Sequence, residues 1–317
     1  MKDVVLGVDI GGTNTAFGLV DINGVIYYKD EILTEGNRSA SDLIHRLYLC
    51  INPILLKESE YNLIGIGIGA PNGNYFTGII DNPPNLDWSD LNIVSLFQQK
   101  FSCDAKLTND ANAAALGEKY FGAAKKINDF IMITLGTGLG SGIISNKQLI
   151  YGYDGHAGEL GHISINAEGR ECNCGKLGCL EMYVSAKGIK KTIDNLFNEM
   201  PDNDFLKLIN NKFDGKIIDD AYDRGDSIAK EIYRYTGKKL GFGLAQAAIL
   251  FSPEAFVFYG GLSKAGDRLF SFTRESMNNN LLEFQKGKIK IIQSNLPDGS
   301  AGILGATSLI WFKNMDS

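Results

Sequence analysis

A chain of 317 residues with 44% apolar and 21% charged side chains has the composition of a folded globular protein and suits two hydrophobic cores better than one. Its formal charge of −6 argues against a nucleic-acid or anionic-membrane partner, since both reward clustered Lys and Arg. No apolar run reaches the length of a bilayer crossing. The opening MKDVVLGVDIGG sets Asp3 and Asp9 around a short Val-rich run, unlike a secretory signal, so cytoplasmic residence is the expectation.

In chain order, VVLGV (4–8), AFGLVD and VIYYKDEIL are short apolar runs separated by Gly-Gly and Asn23-Gly24, which predicts consecutive antiparallel strands. Residues 41–56 put apolar side chains at helical spacing behind a Ser/Asp cap, and LIGIGIGA (63–70) is a buried strand. A loop rich in Pro, Asn, Gly and Asp covers 71–90. A helix near 91–100 then leads to the strand AKLTND, which ends on Asn109 and Asp110. The alanines of ANAAALGEKYFG start a helix at once. From residue 130 the opening rhythm restarts: Gly12 falls on Gly136, Thr13 on Thr137, Gly18 on Gly142, and Leu19-Val20 on Ile143-Ile144. Strand–glycine turn–strand units, one per half, imply two related domains. Helices across about 186–212, a long helix over 226–251 entered through Asp226, and the buried strand AFVFYGGLS breaking at Gly260-Gly261 complete the pattern.

The cysteines are uneven. Cys50 and Cys103 stand alone and are expected to be small buried residues. Cys172, Cys174 and Cys179 sit in ECNCGKLGCLE with Gly175 and Gly178 between them, and His162 lies ten residues before the first. This spacing in a chain with no secreted disulfide pattern points to a closed Cys3His zinc site of structural type.

DIGGTN (9–14) and LGTGLGSG (135–142) are glycine turns whose backbone N–H groups can approach phosphate oxygens, with Thr13 and Thr137 adding hydroxyls. Neither has the Gly-Lys-Ser/Thr of a Walker loop, and neither opens a helix. Asp9 beside such a cradle makes sense if Mg2+ lies between it and the phosphates. Asp110 ends a strand, where open α/β sheets hold their ligands; the alternative is that it only caps the helix that follows.

DIGGTN, NDANAAALGE, LGTGLGSGI, GELGH and CNCGKLGCLE, in this order, resemble the ROK family of repressors and sugar kinases, over residues 4 to about 310. The resemblance implies an α/β, actin-like (ribonuclease H-like) two-domain fold with the active site in the interdomain cleft. The implied smaller domain covers 1–120 and is completed by a C-terminal helix at about 300–317. The larger covers 121–299 and carries the zinc loop. It further implies ATP-dependent phosphorylation of a hexose, most often glucose, with Asp110 as the general base on the 6-hydroxyl. Asn85, Asn109, Glu159, His162 and Glu181 become sugar ligands. Asp9, Gly11, Gly12, Thr13, Asn14, Gly136, Thr137 and Gly138 surround the phosphates and Mg2+, and Gly260 and Gly261 lie under adenosine. His162, Cys172, Cys174 and Cys179 match the zinc ligands, and a homodimer or dimer of dimers is implied.

A zinc-bound imidazole keeps one nitrogen for another partner, so the metal would orient His162, and through Cys179 also Glu181, toward the sugar. Two alternatives stand beside glucose. One changes the acceptor to N-acetylglucosamine, N-acetylmannosamine, fructose or allose. The other is a sugar-responsive transcription regulator, disfavoured because Asp9 already belongs to the phosphate turn where an N-terminal DNA-binding domain would be expected. The chain departs from the commoner Pro-Gly pattern at Pro71-Asn72, so Asn72, Gly73 and Asn74 are expected to line or flank the acceptor site, with a longer surface turn as the alternative.

Overall fold

The computed structural model describes residues 1–57, 60–83, 86–88 and 90–312. The strands are β1 (Lys2–Ile10), β2 (Asn14–Val20), β3 (Ile26–Leu33), β4 (Tyr61–Ala70), β5 (Ile79–Ile80), β6 (Leu91–Asn92), β7 (Ala105–Asn109), β8 (Phe130–Leu135), β9 (Leu139–Ser145), β10 (Gln148–Leu149), β11 (Ala255–Tyr259) and β12 (Lys290–Gln293). The helices are α1 (Ala40–Lys57), α2 (Ile93–Phe101), α3 (Asp110–Tyr120), α4 (Glu181–Val184), α5 (Ala186–Glu199), α6 (Asp204–Asn211), α7 (Gly215–Asp223), α8 (Ser227–Phe251), α9 (Asp267–Asn280) and α10 (Ala301–Trp311).

By internal packing the chain forms two compact units. The first comprises Met1–Asn128, Gly142–Gly158 and the chain from Ser294; the second comprises Asp129–Ser141 and Glu159–Gln293. One five-stranded sheet runs β3-β2-β1-β4-β7 and the other β10-β9-β8-β11-β12. In each, a glycine hairpin (β1–β2, β8–β9) is followed by two parallel strands, β4 and β7 in one, β11 and β12 in the other. The repeat of Gly12 on Gly136 is therefore a repeat of sheet order. The long helix α8 starts where the sequence placed it, with the Asp226 carboxylate accepting from Ile228 N and Ala229 N.

The first sheet shows how strand alternation positions the chemistry. Val4, Leu6, Val8 and Ile10 of β1 and Ile66, Ile68 and Ala70 of β4 share a core with Leu43, Ile44, Leu47 and Ile51 of α1 and Phe97 of α2. The opposite face carries Gly7, Asp9, Gly67 and Gly69. A Cβ on Gly67 would overlap the Ala306 carbonyl, so glycine there lets the α10 backbone lie directly on the sheet. Cys50 and Cys103 pack against the same core but are only half-buried, which corrects the expectation of full burial.

Candidate active site

The register of the first sheet brings two carboxylates to one edge. Asp9 of β1 pairs with Gly69 of β4, which pairs with Thr108 of β7, and Ala70 pairs with Asn109. These are the C-terminal ends of three parallel strands. Gly69 separates the acids: a Cβ on it would come within 3.7 Å of the Asp110 Cα and 3.8 Å of Asp9 Oδ1. On its other side Asp9 abuts Gly302 in the first turn of α10, where a Cβ would overlap its Oδ2. That helix end favours negative charge.

The strand ends at Asn109, one residue earlier than its sequence pattern predicts, and Asp110 is the first residue of α3. Asn109 is the cap: its Oδ1 accepts from Ala111 N at 2.9 Å and Asn112 N at 3.4 Å. Asp110 Oδ1 also accepts from Ala111 N, at 2.8 Å. Since Asn109 already caps the helix, Asp110 is free for another role.

Solvent reaches the Asp110 side chain, yet the surrounding protein desolvates it and pushes its pKa up, with the Ala111 N–H opposing the shift. Asp9 is pushed up to about 7, first by desolvation and then by the Asp110 charge. Neither forms an ion pair among the described residues. Two adjacent carboxylates without a counter-charge suit a hard divalent cation.

The Asp9 shift has a consequence for stability. Because its folded pKa lies above the usual 3.8, the folded chain binds more protons than the unfolded one between those values. Stability therefore falls as pH rises through that window. Asp9→Asn is expected to raise Tm by about 2–5 °C at pH 8, with the gain shrinking toward pH 5. Melting curves over a pH series check it; a gain independent of pH would contradict the assignment.

The two glycine turns differ in what holds them. In the first, Gly11 N donates to Asn14 O at 2.9 Å, Thr34 N donates to Thr13 O at 2.7 Å, and Thr34 Oγ1 donates to Gly11 O at 2.7 Å. Thr34 and Thr15 are fully buried and joined through their hydroxyls at 2.9 Å. In the second, Gly136 N donates to Gly138 O at 3.0 Å. A Cβ on Gly138 would sit 2.5 Å from Glu181 Oε2, so this glycine makes room for a carboxylate within the protein.

Gly136 is different: a Cβ there meets nothing within 4 Å. If its glycine serves a ligand, Gly136→Ala should fold with unchanged Tm yet weaken binding of that ligand by about tenfold, from loss of close backbone approach. A melting curve and a nucleotide titration separate the two effects. Gly261 is equally open, whereas Gly260 has φ +104° and a Cβ would lie 2.5 Å from the Leu135 carbonyl, so Gly260 is required by the backbone itself.

The predicted metal ligands come together in the second unit. The ligand atoms of His162, Cys172, Cys174 and Cys179 all lie within 4.8 Å of one another. Cys174 Sγ and Cys179 Sγ are 3.6 Å apart, and Cys172 Sγ lies 3.7 Å from His162 Nδ1. Tetrahedral zinc with Zn–S bonds of about 2.3 Å spaces its sulfurs about 3.8 Å apart, so the set fits that ion.

Nδ1 is the nitrogen turned to the Cys172 sulfur, leaving Nε2 for another partner. Burial and the two neighbouring thiols push Cys179 up to about 12. Three thiols this close need a cation before all can ionise. The loop is folded by its own backbone: Cys172 N donates to Lys176 O at 2.9 Å, Gly178 N to Arg170 O at 2.8 Å, and Leu180 N to Ile163 O at 2.9 Å. Glu181 opens α4, and its Oε2 accepts from Leu139 N at 2.9 Å. Glu159 is exposed and precedes the one-turn helix that carries His162. Asn85 lies outside the described residues.

The departure at Asn72 has a local cause. Asn72 has φ +53°, a left-handed backbone that Gly or Asn tolerates, and its amide donates to Asp81 O at 2.9 Å and Asn82 O at 3.0 Å. Its side chain is thus committed inside the loop. Asn74 is buried: its Oδ1 accepts from Phe76 N and Thr77 N, and its Nδ2 donates to Asp154 O at 2.6 Å.

Two five-stranded sheets of one order, each opened by a glycine hairpin, with an acidic pair at a C-terminal strand edge, define the class as an α/β protein of the actin-like fold. The sequence profile of the ROK family matches residues 5–313, and the chain belongs to that family. It is 34% identical over 311 residues to a glucokinase of Thermotoga maritima, covering 96% of each chain. It is 30% identical to a xylose repressor of Caldicellulosiruptor bescii, covering 98% of this chain and 79% of the repressor. A solved ROK family glucokinase from Streptomyces griseus, in complex with glucose and AMPPNP, superposes with a TM-score of 0.81 at 33% identity, over 96% of this chain and 98% of the other.

Proposed function

We propose that this protein transfers the γ-phosphoryl group of ATP to the 6-hydroxyl of a hexose, with glucose the preferred acceptor. The observation that carries the reading is the Asp9–Asp110 pair at the C-terminal strand edge, two carboxylates without a cation partner among the described residues. The glucokinase relatives support the same reaction class.

Phosphoryl transfer asks the protein mainly to align the acceptor and to neutralise charge. Asp110 accepts the proton of the 6-hydroxyl as the oxygen attacks phosphorus, and its raised pKa suits it to hold that proton. Asn109 keeps Asp110 at the helix start. Glu159, His162 through Nε2, Glu181 and Asn85 take the remaining sugar hydroxyls, and unpaired polar groups then penalise a sugar lacking one. The turns at Gly11–Asn14 and Gly136–Gly138 hold the phosphates, with Gly260 and Gly261 under adenosine. Asp9 would hold Mg2+, which neutralises the transferring group when bound. The four-ligand zinc site is structural and leaves no position for water. Assembly as a homodimer or dimer of dimers belongs to the same reading.

A coupled assay of ADP release over glucose, fructose, allose, N-acetylglucosamine and N-acetylmannosamine tests it, with kcat/KM highest for glucose as the expected result. No sugar-dependent ADP together with sugar-sensitive DNA binding would instead favour the regulator reading that the repressor relative raises.

A further inference from the structure

Glu181 sits at the start of α4, a helix of one turn from Glu181 to Val184. A helix this short makes too few internal hydrogen bonds to fix its own orientation, so something outside it must hold Glu181 still. Part of the answer is the glycine turn: Leu139 N donates to Glu181 Oε2 at 2.9 Å and Ala186 N donates to Gly136 O at 2.9 Å. The second bond has a cost, because Ala186 N is the donor an extended helix would have offered to Met182 O.

Arg170 fills that gap. Its Nη1 donates to Met182 O at 2.9 Å and to Gly188 O at 2.8 Å, and its Nη2 donates to Thr192 Oγ1 at 2.9 Å. The guanidinium lies over the Tyr183 ring, 4.8 Å from its centroid, and its own backbone N–H donates to Tyr183 Oη at 3.0 Å. All its side-chain acceptors are neutral, and among the described residues it forms no ion pair. Its carbonyl meanwhile accepts from Gly178 N inside the metal loop at 2.8 Å. One residue thus joins the metal loop to α4 and α5 by a fork that only a planar guanidinium supplies.

We infer that Arg170 is a positioning residue that fixes Glu181 for the sugar by locking α4 to the metal loop, independently of the metal itself. The inference rests on the kinase reading above for the role of Glu181. Lys cannot replace it: an ammonium keeps the charge and the ring contact but does not span the three acceptors.

The test uses the full chain as Arg170→Ala and Arg170→Lys. Glucose binding is measured by calorimetry, turnover by ADP release, and zinc by metal analysis. The expected result is about tenfold weaker glucose binding and about tenfold higher glucose KM in both variants, with kcat within about threefold and zinc content unchanged. Millimolar guanidinium should restore binding to Arg170→Ala and leave Arg170→Lys unaltered. Unchanged glucose affinity, zinc loss that tracks the affinity loss, or no rescue would each overturn the inference. Wild-type protein that binds glucose but makes no ADP refutes the kinase reading while the effect on Kd still decides the role of Arg170; wild-type protein that binds no sugar overturns both.

Discussion

Asp110→Asn is expected to lower kcat by about two to four orders of magnitude, the usual scale for losing a general base, while glucose Kd stays within a few-fold of wild type. The amide keeps the shape and can still accept from Ala111 N, so α3 should start as before, with Asn109 Oδ1 as its cap. What disappears is the ability to take a proton from the attacking hydroxyl. A second signature separates this from simple misfolding. The Asp110 charge is one of the two causes that hold Asp9 up at about 7. Removing it should therefore bring the Asp9 pKa down toward the usual carboxylate range and raise Tm at alkaline pH, where an ionised Asp9 no longer faces a second carboxylate. An inactive variant that is also more stable is the pattern of a functional charge held at a structural cost. Near-normal turnover in Asp110→Asn, measured by single-turnover phosphate transfer at saturating glucose, would refute the base assignment.

How far these features could be read from residues alone varies with sequence separation. The two glycine hairpins were legible because turn chemistry is local, and their repeat anticipated the shared sheet order. The grouping of His162 with Cys172, Cys174 and Cys179 was legible because its spacing is short and its residue types are few. At Asn109-Asp110 local reading stopped at two equal options, cap or acid, since both residues are good caps; the hydrogen bonds show only that Asn109 supplies the main side-chain cap. The alternation in LIGIGIGA announced a buried strand. It did not announce that its glycine face accepts the α10 backbone, because that partner lies more than 200 residues away. Thr34, Thr15 and Arg170 carry no local signal at all. Each acts through a contact to a distant backbone or hydroxyl group, and a threonine after a strand or an arginine in a loop is ordinarily a solvated residue. Gly138 shows that one residue type can have two causes. A phosphate-turn reading explains its type, but within the protein the Glu181 carboxylate alone already excludes a side chain there.

Removing zinc, or replacing Cys179 by Ser, is expected to weaken glucose binding by about 10- to 100-fold, the range found when partners that orient metal-bound histidines are lost. The effect should fall mainly on His162. Cys179 is fully buried at the centre of the loop, and the Cys172 sulfur faces His162 Nδ1 at 3.7 Å. Without a cation the thiols lose their reason to stay together, and the imidazole loses the contact that fixes its ring. Glu181 should suffer less, because its tethers at Leu139 N and through α4 do not pass through the metal. A hydroxyl-by-hydroxyl comparison makes this measurable. Deoxyglucoses lacking the group that His162 contacts should bind apo and zinc-loaded protein alike, while those lacking the group that Glu181 contacts should still discriminate the two forms. Undiminished glucose affinity in protein shown by metal analysis to be zinc-free would break the link between the metal and the sugar ligands, and the cysteine cluster would then be a brace for the loop alone.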